Sequence, residues 1–173
     1  MADDLLRLVL DHLSSKASYP IIVSGSVGSG KTSLCTTVAE LLRGEGFKPG
    51  GVLSPRIVES GKTIGYDIID LRTGDSRSFV RSNPPGKTVG RFFLKSGALD
   101  FANGAISESI GGCDPVFVDE VGRLELKNKG LAPSVRELLS SDSQPIFLVR
   151  SQFIPEVRQL FEIPEYDEFR ADG

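Results

Sequence analysis

The run Gly25-Ser26-Val27-Gly28-Ser29-Gly30-Lys31-Thr32 fits the spacing G-x-x-x-x-G-K-[ST] at every fixed position. Glycines at those places let the backbone turn successive N–H groups inward, and a helix starting at the end of the run adds partial positive charge. The flanking sequence supplies the other parts of such a phosphate cradle. Pro20-Ile21-Ile22-Val23-Ser24 is a short apolar, β-branched run, as a buried parallel strand requires. Leu34, Val38, Leu41 and Leu42 then recur at helical spacing, and Gly44 and Gly46 end the helix. In this P-loop Lys31 reaches the β- and γ-phosphates and the Thr32 hydroxyl ligates Mg²⁺. The expected phosphate-binding set is Gly25, Ser26, Val27, Gly28, Ser29, Gly30, Lys31, Thr32 and Ser33.

Two other G-K-T triplets, at Gly61 and Gly86, are decoys. The position five before each glycine is Arg56 or Arg81, and Pro84 and Pro85 delete amide donors where a phosphate needs them. A dinucleotide-binding reading fails as well, because Gly28-Ser29-Gly30 would need a third glycine at Ser33.

A length of 173 residues predicts one domain, 1–173, with a real core. Its net charge of −3 gives no electrostatic reason to expect nucleic acid. No apolar stretch approaches membrane-spanning length, and Met1-Ala2-Asp3-Asp4 lacks a signal peptide's basic start, so the expected location is cytoplasmic. With two cysteines, no C-x-x-C and one histidine, zinc sites and histidine-based catalysis are excluded. Cys35 reads as a small buried thiol, Cys113 as part of a turn, and His12 as a surface residue of a first helix.

That helix falls within residues 1–19 and is expected to pack on the domain edge through its leucines; a partner-binding role is the alternative. Residues 47–95 read as a β-meander and loop inserted between P-loop and sheet, with strands at Gly50–Ser54, Thr63–Ile69 and Ser76–Val80, and another possible strand at Val89–Leu94. Helices follow at Ala98–Ile110, Leu131–Leu139 and Ile154–Phe161, alternating with apolar strands at 115–118 and 145–149. The acidic tail within 162–173 reads as frayed. Continuous apolar strands alternating with amphipathic helices predict an α/β fold, a mostly parallel sheet covered on both faces.

A P-loop needs a carboxylate at the end of a neighbouring strand to hold Mg²⁺ through its water. Val116-Phe117-Val118-Asp119 supplies it. Glu120 follows directly and can polarise the attacking water, as in P-loop ATPases that hydrolyse without a partner's glutamine; a surface glutamate is the plain alternative. Asp119-Glu120-Val121-Gly122 also matches the D-x-x-G of GTPases. Their guanine-reading N-K-x-D fails here, since Asn128-Lys129-Gly130 is followed by Leu131. Arg150 is the nearest candidate for a base-side contact, with a salt bridge as the alternative.

The P-loop, Gly50-Gly51-Val52-Leu53-Ser54-Pro55-Arg56 with Gly65 to Leu71, Val89-Gly90-Arg91-Phe92-Phe93, and Val118 to Leu126 fall in a specific order. Over roughly residues 20 to 150 the chain resembles small P-loop nucleoside-triphosphatases, often called the cancer-related nucleoside-triphosphatase family. The resemblance implies a RecA-like three-layer sandwich. It also implies slow, Mg²⁺-dependent hydrolysis of ATP, GTP and other nucleoside triphosphates with loose base selectivity. Carried over by position, Lys31 and Glu120 are catalytic candidates and Thr32 and Asp119 the metal-side pair. Arg123, where the family often has lysine and in some branches proline, is a third catalytic candidate.

Two rival readings remain. One is a small-molecule or nucleoside kinase in which the loop from Ser82 to Arg91 closes over an acceptor, with Arg81, Lys87 and Arg91 stabilising transferred charge; a solvated basic loop is the plain alternative for those residues. The other is a nucleotide-dependent binding switch for a protein partner that the sequence does not identify.

Overall fold

The computed structural model describes residues 1–173. Its helices are α1 (Ala2–Ser15), α2 (Lys31–Gly44), α3 (Ala98–Ser109), α4 (Arg123–Leu126), α5 (Ala132–Leu139) and α6 (Ile154–Leu160). The strands are β1 (Ile21–Gly25), β2 (Gly50–Leu53), β3 (Arg56–Glu59), β4 (Lys62–Asp70), β5 (Ser76–Arg81), β6 (Lys87–Val89), β7 (Phe92–Leu94), β8 (Val116–Val118), β9 (Pro145–Arg150) and β10 (Asp167–Arg170).

All ten strands share one sheet, ordered β10-β1-β9-β8-β2-β4-β5-β7-β6, with β3 paired to β4. From β10 to β2 every pairing is parallel, and from β2 outward every pairing is antiparallel. In the parallel half, neighbouring side chains of a strand enter opposite cores, as the twofold pleat dictates. Ile21 and Val23 pack with α1 and α2, whereas Ile22 packs with α3, α5 and α6. Phe117 faces the first core while Val116 and Val118 face the second. Both faces are therefore covered, which gives three layers.

The meander differs from expectation at its start. β2 is a member of the parallel core, beside β8, and the antiparallel extension begins only at β4. A Cβ on Gly51 would lie 1.9 Å from the Phe117 carbonyl oxygen, so this close approach of β2 to β8 needs glycine. The strand expected over Val89–Leu94 is a hairpin, β6 and β7, turning at Gly90 and Arg91. Proline, glycine and short length hid β3 and this hairpin from pattern reading.

Two further expectations are corrected. The tail is ordered as β10, parallel to β1 with Val23 opposite Phe169. Acidic composition suggested fraying, yet Phe169 packs against a core, Ala171 is buried, and Glu168 accepts from the Ser24 hydroxyl at 2.6 Å. His12 is buried, not on the surface. Its Nε2 lies 2.7 Å from Asp167 Oδ2, and its ring meets Tyr19 edge-on. Charges on β10 thus have partners that only the tertiary fold provides.

Candidate active site

β1 ends at Gly25, and α2 starts at Lys31 behind Gly30, whose φ of 87° lies in the left-handed region. This turn aims the first amides of α2 at the loop's hollow. Lys31 Nζ folds across that hollow and donates to the carbonyls of Gly25 (3.2 Å) and Ser26 (2.8 Å) and to Ser29 Oγ (3.3 Å). Ser26, Val27, Gly28, Gly30 and Ser33 are exposed around it. Asp172, two residues beyond β10, accepts from the Ser26 N–H at 3.0 Å, which holds its carboxyl below the usual range. Sequence reading missed this tail carboxylate because the tail was not expected to return to the loop.

Asp119 leaves the end of β8 and is 1% exposed. Its Oδ2 accepts from Thr32 Oγ1 at 2.7 Å and from the Ser54 N–H at 2.9 Å, while Oδ1 accepts from the Glu120 N–H at 2.8 Å. Burial, with a smaller push from Glu120, raises its pKa to about 7 despite those donors. A buried carboxylate short of positive charge, touching a hydroxyl, is a hard oxygen donor pair of the kind that suits Mg²⁺.

β9 lies between β1 and β8, so the ends of those two strands stand two strand spacings, roughly 10 Å, apart. Thr32 closes that distance to Asp119, and the space beside their contact is where a terminal phosphate and a water can lie. Glu120 borders this gap with a left-handed φ of 58°, a conformation that costs a non-glycine residue about 1 kcal/mol or more. Arg150, the last residue of β9, sits in register with Gly25 and brings Nη2 to 3.9 Å from Glu120 Oε2. The ion-pair reading of Arg150 therefore holds, and it faces Glu120.

Arg123 opens α4, is exposed, and lines the same cavity as Glu120 and Arg150. The segment behind it is held by Glu125, which the sequence did not single out beyond its place in a matching run. Its Oε1 accepts from the Gly122 N–H and its Oε2 from the Leu131 N–H, both at 2.9 Å. Burial pushes its pKa up to about 7. The spacing Gly-x-x-Glu, a helix start with its third residue reaching back, was the available signal. Asn128, by contrast, accepts from Arg136 at 2.8 Å and closes this turn. Of the loop cations, Arg81 is tied to Asp67 at 2.5 Å and to the Tyr66 carbonyl at 2.8 Å, while Arg91 lies over the Phe92 ring.

A family model described as NTPase matches residues 20–168. A nucleoside-triphosphatase THEP1 from Methanopyrus kandleri is 34% identical over 157 residues, covering 88% of this chain and 86% of its own length. Another from Methanosarcina barkeri is 32% identical over 159 residues, with 88% and 91% covered. Among solved structures, THEP1 from Aquifex aeolicus superposes with a TM-score of 0.69 at 19% identity, covering 88% of this chain and 89% of that one. A human cancer-related nucleoside triphosphatase gives 0.68 at 22%, with 88% of each chain covered; at such identities both speak to the fold alone. The chain belongs to the NTPase family, the small P-loop nucleoside-triphosphatases.

Proposed function

We propose that this chain hydrolyses nucleoside 5′-triphosphates to the diphosphate and phosphate, with Mg²⁺ as cofactor and loose base selectivity. The observation that carries the proposal is the 2.7 Å contact between Thr32 and buried Asp119, which joins the phosphate loop to β8 with Glu120 next in line. Thr32 and Asp119 are the residues that would hold Mg²⁺, the carboxylate through water. The ion would neutralise charge on the β- and γ-phosphates.

In this reading Lys31 exchanges its contacts with the loop carbonyls for phosphate oxygens, and the amides of 28–32 cradle the chain. Glu120 accepts a proton from a water while the water oxygen bonds to the γ-phosphorus and the β–γ bridge breaks. Arg150 is placed to orient Glu120, and Arg123, on the cavity wall, to meet charge on the terminal phosphate. Positioning and fixed charge supply the rate, since phosphoryl transfer asks little covalent chemistry of the protein.

Loose selectivity is supported by the segment Asn128-Lys129-Gly130-Leu131, which has leucine where a guanine-reading aspartate would stand and whose Asn128 is engaged by Arg136. No helix is long and apolar enough to cross a membrane. We infer a cytoplasmic location because that compartment supplies nucleoside triphosphates and keeps Cys35 and Cys113 reduced. Phosphate release from ATP, GTP, CTP and UTP, with Mg²⁺ and with chelator, tests the reading. Release from all four that stops without Mg²⁺ is expected, and no release from any would refute it.

A further inference from the structure

The cavity that begins at Lys31 and Glu120 does not end there. It encloses about 300 Å³ and runs outward under β4, β5 and β7 to Tyr66, Phe79 and Phe92. β7 stands four strand positions from β8, up to roughly 19 Å along the sheet. Of the phosphate loop only Val27 and Lys31 reach this space. Lys31 marks the γ-phosphate end of a bound triphosphate, so the cavity extends away from the nucleoside, past the terminal phosphate.

Hydrolysis needs one water at that place, whereas such a volume holds roughly ten. Eleven of the 21 lining residues are hydrophobic, and wet apolar surface costs about 25 cal/mol per Å². Tyr66 and Phe92, packed edge-to-face at 5.8 Å and 89°, give the lining an aromatic wall against which the ring of a guest can pack. It also carries cations. Arg91 and Arg123 line the cavity with no carboxylate within ion-pair distance, and Arg150 has Glu120 only at 3.9 Å.

We propose that this cavity binds a small phosphoryl acceptor with a flat apolar body and an anionic group, and that the site transfers the γ-phosphoryl group to it. The inference rests on the nucleotide-site reading above. An acceptor oxygen forms the new bond to the γ-phosphorus as the bond to the β–γ bridging oxygen breaks and the diphosphate leaves. Where the acceptor is a hydroxyl, its proton passes to Glu120; water is then the substitute acceptor when the cavity lacks a guest.

Two sources share that chemistry: nucleoside monophosphates, which offer a phosphate oxygen, and hydroxyaryl carboxylic acids, which offer a hydroxyl. The test supplies the full chain with Mg²⁺ and γ-³²P-ATP, and in separate arms AMP, GMP, CMP, UMP and dTMP, or 4-hydroxybenzoate and 4-hydroxyphenylacetate. Label is expected in an organic phosphate in one arm. Arg91→Ala, an exposed change, should raise the acceptor KM by about tenfold or more and leave acceptor-free phosphate release within about threefold. Label transfer without acceptor-free release would support this proposal and sink the hydrolase reading. Phosphate release with no labelled organic product in either arm overturns the proposal and leaves the hydrolase reading standing.

Discussion

The Thr32 hydroxyl donates to the buried Asp119 carboxylate across 2.7 Å, a contact between residues 87 positions apart in sequence. It ties the start of α2 to the end of β8, so phosphate loop and acidic pair are held as one body. Removing the hydroxyl while keeping the shape should therefore act on cation use first. Thr32→Val is expected to raise the Mg²⁺ concentration for half-maximal phosphate release by about tenfold or more, since a ligand and a hydrogen bond to a charged group are lost together. A Mg²⁺ titration with ATP fixed checks this; an unchanged midpoint removes Thr32 from the metal side.

Glu125 gives a pH dependence of stability. The unfolded chain ionises this carboxyl near 4.5, whereas the fold holds its proton to about 7 because it is buried. Between those values the folded state binds more protons, so its stability falls as pH rises, by up to about 3 kcal/mol, and then levels off. Glu125→Gln is less stable at pH 5, because its amide N–H₂ faces a backbone N–H, but it lacks this decline. Urea midpoints of both proteins from pH 5 to pH 8 should converge as pH rises. Parallel curves would contradict the assignment.

β10 predicts that the tail contributes to stability. Phe169 packs beside β1, so Phe169→Ala should cost about 1–3 kcal/mol, a Tm lower by roughly 3–10 °C. Thermal unfolding followed by circular dichroism measures it, and a frayed tail would show no change.

Base selectivity follows from what surrounds the nucleotide. A site that pairs donors with acceptors discriminates strongly, because a wrong partner leaves polar groups buried and unpaired. Asn128 is occupied by Arg136, and Leu131 is buried against the second core. Specificity constants for ATP and GTP are therefore expected within about one order of magnitude, below roughly 1.4 kcal/mol. A preference above about a thousandfold would reveal a base-reading pocket, with Asp172 beside the loop as its first suspect.

Much of this site was legible in the sequence because its chemistry is local. Gly25 to Thr32 and Val116 to Glu120 carry their own spacing, and the apolar strands β1, β8 and β9 announce themselves by continuous burial. What was hidden depends on residues far apart in the chain. His12 reads as a surface residue until Asp167 arrives from the other end, and the tail reads as frayed until β1 offers it an edge. Strand order was likewise invisible: that β9 stands between β1 and β8, and so sets the gap spanned by Arg150 and Glu120, is a property of the assembled sheet.

In the proposed mechanism Glu120 activates the water beside a phosphate loop that binds nucleotide without it. Glu120→Gln keeps the side chain's size but cannot take the proton as a carboxylate does. Measured together, Mg·ATP affinity and single-turnover phosphate release separate the two roles. Affinity within about threefold of wild type and release slowed by about a hundredfold or more are expected. Release within about threefold of wild type would contradict that mechanism.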